Sequence, residues 1–536
     1  MDDRHLISRV NVGDMLTRTA WRIPNKLALV DGERRLTYRE ANDAVNRMAN
    51  ALAATGFGRS DVLVLASGNS IEFLVTYYAC AKLGVICVPL NLGWGASEIT
   101  YVLDHSRATG VVVESQLVPL ISEAIADRPA VGQVVVTAGT GAPYTAREDR
   151  AWATYEAFTE AASTAEPEVY VEDRDPLSYL YTSGTTSAPK AVVSSHLAVY
   201  LETTTAPVVL RIGEADRSVA MMPLFHTAQL NGFATPVLYT GGTIYITRGF
   251  DAAALLDLIE REQITQIFGL PMMYRAMLEH PDITRRDLSS LRLALYAMAP
   301  MPDTDLTRAM EVFGCDFALG FGQTEMNPIT TIFLPEHQLS HRGSVGTPVP
   351  NVQVGIMDPD GQLLPQGASG EIVYRGPHVM EGYLHNEEAT ADAFRHGWFH
   401  SGDNGHIDAD GLVWFEDRNK DVIKTGGENV ASIEIEKALY EEEDRIQDVV
   451  VIGLAHPRWT EAITAVVVPR PGSGLTEHDV LVAAGRRLSR FKQPKQVVIR
   501  EDLPRTATGK IQKNVLRDEL RELYTVAESA RTEPDA

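Results

Sequence analysis

Only three cysteines, Cys80, Cys87 and Cys315, occur in 536 residues, and none stands in CxxC spacing with another. That scarcity excludes a disulfide framework and a cysteine-based zinc module, and it suits buried thiols in a reducing compartment. Basic charge is short as well. Against 71 Asp and Glu there are 48 Lys and Arg, a net charge of −23. Such a chain presents no general polyanion-binding face, so nucleic acid is excluded as a partner, while a local basic pocket is not. Long apolar runs are also missing. The richest stretch, FLVTYYACAKLGVICVPL from Phe73, is broken by Lys82 and Gly84. It reads as a buried helix leading to a strand, not as a membrane span. The opening MDDRHLISRV has no apolar h-region, so no signal peptide is expected. The absences leave a cytoplasmic, enzyme-sized globular chain, 45% apolar and 22% charged, too long for a single core.

What is present is alternation. LTYREANDAVNRMANALAATG has apolar residues at helical spacing, with Thr37 as N-cap and Gly56 as stop. DVLVLASG, VICVPLN, GVVVES and QVVVTAG read as buried strands between helical segments, which predicts parallel sheets covered on both faces. TAGTGAPYTAREDRA is loop-like. TGGTIYIT, QITQIFGLP and LRLALYAMAP resemble further strands that end in functional loops. From about residue 350, VQVGIMDPDGQLLPQGASGEIVYRG carries Asp-Gly and Pro punctuation, the signature of antiparallel hairpins or a small barrel. After Asp417 a helix, two strands and another helix follow, an α+β unit of ordinary domain size. The expected fold is therefore α/β, a large N-terminal domain of doubly wound sheets plus a small β-barrel, with a small α+β C-terminal domain. Its boundaries are placed at 1–418, 419–524 and a disordered tail at 525–536.

The segment YTSGTTSAPK (181–190) has too few apolar residues for a core strand and too many turn formers for a helix. Hydroxyls on Thr182, Ser183, Thr185 and Thr186, a permissive Gly184 and the cation of Lys190 suit an anion-binding nest at a strand end. A polar surface loop is the plain competing reading. Walker spacing is absent. The segment resembles the signature loop of the acyl-adenylate-forming enzymes, the family of acyl-CoA synthetases, luciferases and peptide-synthetase adenylation domains. Ser187 and Ala191 stand where that pattern has glycines. Five more segments resemble the family's motifs in order: MPLFHTAQ (222–229), GFGQTE (320–325), HSGD (400–403), DRNKDVIKTGGENVASIEIE (417–436) and PRTATGKIQK (504–513).

The resemblance implies a reaction in two halves. A carboxylate attacks the α-phosphorus of MgATP, and the thiol of coenzyme A then takes the acyl group and releases AMP. It implies that Thr182, Ser183, Gly184, Thr185, Thr186 and Lys190 hold phosphates, with Thr185 among the catalytic group. Glu325 is implied as the Mg²⁺ ligand and Thr324 as a phosphate donor. Gly320, Phe321, Gly322 and Ala299 would lie along the nucleotide, with Phe321 stacked on adenine. Asp403 would accept from the ribose, with Arg418 beside it, and Lys510 would meet the charge that develops during adenylation. Lys420 maps to the hinge, and Lys424 with Gly426 and Gly427 to the thiol tunnel. Trp459 and Lys495 match the aryl-CoA ligases' nucleotide clamp, with Phe491 and Lys492 nearby. His226 borders the acyl pocket, which Ala228, Gly232, Tyr296 and Met298 complete. His226 and Trp459 each have a plain reading as packed residues.

No acid follows Phe225, which favours a simple carboxylic acid over an α-amino acid. Bulk at Ala297 and Met298 favours an aryl or short to medium-chain acid over a long fatty acid. Another oxyanion such as nitrite, an acceptor other than CoA, a carrier-protein-loading ligase and a non-catalytic nucleotide sensor remain alternatives, and the sequence leaves room for a homodimer.

Overall fold

The computed structural model describes residues 3–140, 150–182, 189–299, 301–506 and 509–524. The loop-like 141–149, the signature residues 183–188 and the tail 525–536 lie outside the described residues.

Two large sheets dominate. In the eight-stranded one, Val62–Ala66, Ile86–Pro89, Gly110–Glu114, Gln133–Thr137 and Ala151–Thr154 run parallel. At one side it turns antiparallel through Pro176–Thr182, Lys190–Ser195 and Gly382–Tyr383. The nine-stranded sheet has a parallel centre that includes Thr243–Ile246, Gln266–Gly269, Leu293–Tyr296 and Asp316–Gly322. Toward one edge it turns antiparallel through Ile329–Phe333 and the short strand Thr347–Pro348.

The predicted helix spans Tyr38–Ala54, and Thr37 caps it through a capping box with Glu40. Gly56 follows at φ +97. The helix Ile71–Leu83 buries every residue except Glu72, as an all-round apolar helix must. Its Lys82 ammonium is also buried and ends on Glu166 at 2.6 Å and on the Asn42 and Asn46 side chains. A buried charge is tolerated on those terms.

Residues 353–418 form a four-stranded antiparallel sheet in the order Gln353–Met357, Gly370–Arg375, Phe399–Ile407, Val413–Arg418. The ladder is open, so the barrel expected there takes the form of a sheet; four short strands are too few to curl into closure. Beyond Asp421 the chain enters a separate sheet built around the long hairpin Ile446–His456 and Thr460–Pro469, covered by Ser432–Glu442 and Glu477–Arg487. Among the described residues no helix is long and apolar enough to cross a membrane.

Candidate active site

Pro176–Thr182 and Lys190–Ser195 pair antiparallel with Thr182 opposite Lys190. The signature segment therefore connects two neighbouring antiparallel strands. Ser183, Gly184, Thr185 and Thr186 fall outside the described residues. Strand Gly382–Tyr383 adds to the same edge, with Tyr383 opposite Val192. This addition sets the Tyr383 ring 5.0 Å from the Lys190 ammonium and aims its hydroxyl at Glu325 Oε1, to which it donates at 2.9 Å. Tyr383 was not among the residues singled out from the sequence. Its signal, a lone tyrosine in a two-residue strand, acquires meaning only once that strand is paired.

Glu325 sits on a single 3₁₀ turn, Thr324–Met326, at the end of strand Asp316–Gly322. Gly322 is required by close approach: a Cβ there would lie 1.8 Å from the Pro328 carbonyl oxygen. Gly320 and Phe321 precede it on the strand, and the Phe321 ring lies 5.5 Å from that of Phe415. Among the described residues no three His, Cys, Asp or Glu side chains gather into a metal cage. One carboxylate that shares a cation with phosphate and water oxygens is the donor set Mg²⁺ commonly takes, so Glu325 fits that ion.

Asp403 faces Arg418 across the strand pair that ends the antiparallel sheet, with Nε to Oδ1 at 3.4 Å. Burial raises its pKa to about 6, while Arg418 and Lys510 act in the opposite direction. Lys510 is carried on the tight loop after Gly509 (φ +80), where its amide donates to Thr506 Oγ1. Although its side chain opens to the cleft, crowding by protein, by Arg418 and by Lys420 brings its pKa down to about 7. Lys420 is lowered for the same reasons, burial first. Three cations thus converge around one acid, and Glu325 also acts on Asp403. That is a cleft awaiting polyanionic charge.

His226 begins the turn Thr227–Gln229, which runs into a π-helical turn, Leu230–Ala234. Burial pushes its pKa down to about 4, so the imidazole is neutral, and its Nε2 has no partner among the described residues. Ala228 is half-buried and Gly232 buried, the latter against Pro328. Met298 and Ala299 are exposed, and Met298 takes φ +71. Tyr296 is buried with its hydroxyl donating to Gln338 Oε1 at 2.8 Å.

A second locus gathers on the C-terminal unit. Trp459 is half-buried on that unit's core and stacks on His456 at 4.5 Å, with Lys495 at 5.3 Å and Arg458 at 5.6 Å from its ring. Gly426, in the Gly426–Gly427 turn after Lys424, donates to the Trp459 carbonyl. Lys424 itself is exposed, whereas Lys492 is tied to Glu434. Lys495 and Arg458 are thus the cations that stand over the Trp459 ring.

The chain matches the AMP-binding enzyme family over residues 16–384 and the AMP-binding enzyme C-terminal domain over 434–510. It is 35% identical over 509 residues to an indoleacetate–CoA ligase of Aromatoleum aromaticum, covering 95% of this chain and 98% of that one. A feruloyl-CoA synthase of Amycolatopsis is 35% identical over 94% of this chain and 98% of its own. Among solved structures, ATP-bound MatB from Rhodopseudomonas palustris superposes with a TM-score of 0.87 at 29% identity, over 96% of this chain and all of that one. Matched along both units in sequence and fold, the chain belongs to the AMP-binding enzymes, among the acyl-adenylate-forming acyl-CoA synthetases.

Proposed function

We propose that this protein is an ATP-dependent, AMP-forming ligase that joins an aromatic carboxylic acid to coenzyme A. The observation that carries the reading is the convergence of Lys510, Arg418 and Lys420 on Asp403, near the Lys190–Tyr383–Glu325 chain. In adenylation an anion attacks an anion, so oriented positive charge lowers the barrier more than any nucleophile activation could. Lys190 and the signature segment hold the pyrophosphate end, and Asp403 accepts from the ribose hydroxyls. Mg²⁺ on Glu325 neutralises phosphate charge when bound, and Tyr383 fixes that carboxylate's orientation. Lys510 moves in over the α-phosphate and the acid. Neutral His226 offers an unpaired nitrogen on the acyl side and adds no charge that would trap the carboxylate.

Residues 1–418 and 419–524 act as the two bodies, hinged at Lys420, and the second half-reaction presents Lys424 and the Trp459–Lys495 locus to CoA. Stacking on Trp459 and charge from Lys495 suit an adenine nucleotide. An aromatic acid is supported by the lack of an acid after Phe225, by bulk at Met298, and by the indoleacetate and feruloyl activities named for the two relatives. The unpaired thiols of Cys80, Cys87 and Cys315 suit a cytoplasmic setting.

The test is ATP–pyrophosphate exchange with benzoates, arylacetates, cinnamates, short acids and palmitate, each repeated with CoA for thioester formation. We expect exchange with aryl acids before CoA is added and thioester only after. A preference for palmitate, or exchange with no acid, overturns the reading.

A further inference from the structure

Helix His196–Leu210 carries a single acid, and it points inward. Glu202 shares the buried face with Ala198, Val199, Thr205 and Ala206, at helical spacing. Its exposure is 0%, no side chain pairs with its carboxyl among the described residues, and the one hydrogen bond it is offered comes from the Ile329 backbone. Burial pushes its pKa well above the carboxylate range, with only the Ile329 backbone acting the other way. Burial thus favours the protonated carboxyl, a form able to give one hydrogen bond and to receive others. A buried polar group left unpaired is costly enough to demand an explanation.

Its position supplies one. Ile329 stands opposite Gly322 on the strand pair that carries Glu325. Pro328 and Ile329 lie 3.1 and 3.8 Å from the point where a Cβ on Gly232 would stand. Gly232 belongs to the π-helical turn that begins four residues after His226, and such turns recur at functional sites. The Glu202 carboxyl thus meets the backbone of the Pro328–Ile329 segment that packs on Gly232, six residues beyond His226. Buried His378 shares the same Ile329 backbone, and Asn327, whose side-chain amide donates to the His378 carbonyl, keeps an unpaired side-chain oxygen. Buried polar groups with this little pairing suit recognition of a polar substituent.

We propose that Glu202 is a specificity-determining residue of the acyl pocket, where it binds a ring hydroxyl or amino group at the end of an aromatic acid remote from its carboxylate. A hydroxyl or amine both gives and takes a hydrogen bond, as the neutral carboxyl does. The proposal rests on the aromatic-acid reading above and narrows it to polar-substituted rings.

The experiment compares matched acids in pyrophosphate release: 4-hydroxycinnamate against 4-methylcinnamate, 4-hydroxyphenylacetate against 4-methylphenylacetate, and 4-aminobenzoate against 4-methylbenzoate. Methyl keeps the size and removes the hydrogen bond, and a site built for that bond discriminates steeply. Wild type is expected to favour the polar member of at least one pair by about tenfold or more in kcat/KM. Glu202→Leu should abolish or invert that preference through KM, with kcat on the methyl acid retained, and Glu202→Gln should keep part of it. A wild-type enzyme that turns over both members equally overturns the proposal however the variants fold. So does a preference that survives in Glu202→Leu. If no aromatic acid is activated at all, the underlying reading falls and takes the proposal with it, an outcome distinct from turnover without preference.

Discussion

Lys510 is the residue whose proton the fold contests most directly. Burial, Arg418 and Lys420 bring its pKa down to about 7, and Asp403 opposes them. In the nucleotide-free enzyme the proton is held below that pH and shed as pH rises through it. A triphosphate beside the nitrogen favours the charged form, so ATP binding must draw a proton back wherever the free lysine has lost it. Proton uptake should be small at about pH 6 and approach one per site at about pH 8.5, because only the bound state is still protonated there. Calorimetry of ATP binding in buffers of different ionisation enthalpy measures this directly. Lys510→Met should remove the uptake, and equal enthalpies across buffers at high pH would reject the assignment. Tyr383 makes a separate test. Loss of its hydroxyl in Tyr383→Phe removes a donor to a charged carboxylate, worth about 1.5–3 kcal/mol. The KM for MgATP in exchange assays should rise roughly tenfold or more for that loss, with the melting temperature unchanged.

Elements explain why some of this was readable and some was not. Local grammar carries far: the capping box at Thr37, the all-apolar helix Ile71–Leu83 and the buried β-runs stand where periodicity puts them, because short-range caps and burial decide them. Strand pairing is non-local, and there the sequence is silent. That the signature segment connects two antiparallel strands, that Gly382–Tyr383 adds to their edge, and that Tyr296 is buried against Gln338 all depend on which strands meet. Glu202 left a visible trace, one acid in HLAVYLETTTAPVVL, but only the packed helix shows that it faces inward. The Gly322 requirement is likewise a property of the pair. Gly322→Ala would push a methyl onto the Pro328 carbonyl and pry the strands apart beside Glu325. Overpacking of this kind costs about 1–3 kcal/mol. Urea denaturation should show that loss, and exchange activity should fall by more than the unfolded fraction accounts for. A variant with parental stability would show that the hairpin yields there.

At the scale of the whole molecule, the question is how one cleft serves two half-reactions. The small unit rests on the large one through few polar contacts. Arg275 pairs with Asp305 at 2.8 Å and reaches across to the Gln447 carbonyl at 2.8 Å. Gly509 lies against Leu270 and Met272, and the Ser432 amide donates to Asp417 at 2.5 Å. Contacts this few leave rigid-body rotation as the default, and in the proposed scheme Lys510 occupies the phosphate side only while they hold. Arg275 touches neither nucleotide nor acid in this scheme, so its removal should act on the closed arrangement alone. Arg275→Ala is expected to slow pyrophosphate exchange roughly three- to tenfold, the worth of one interfacial hydrogen bond. Thioester formation from supplied acyl-adenylate should stay at the parental rate or exceed it. Lys420→Pro should do the reverse, because a proline at the pivot stiffens the backbone that has to turn: exchange falls only by the loss of one of three cations, whereas thioester is lost. Opposite biases from an interface residue and a pivot residue, each sparing one half-reaction relative to the other, are what alternation between two arrangements requires. If both variants depress the two half-reactions equally, the units do not alternate, and a single fixed geometry must accommodate phosphate and thiol together.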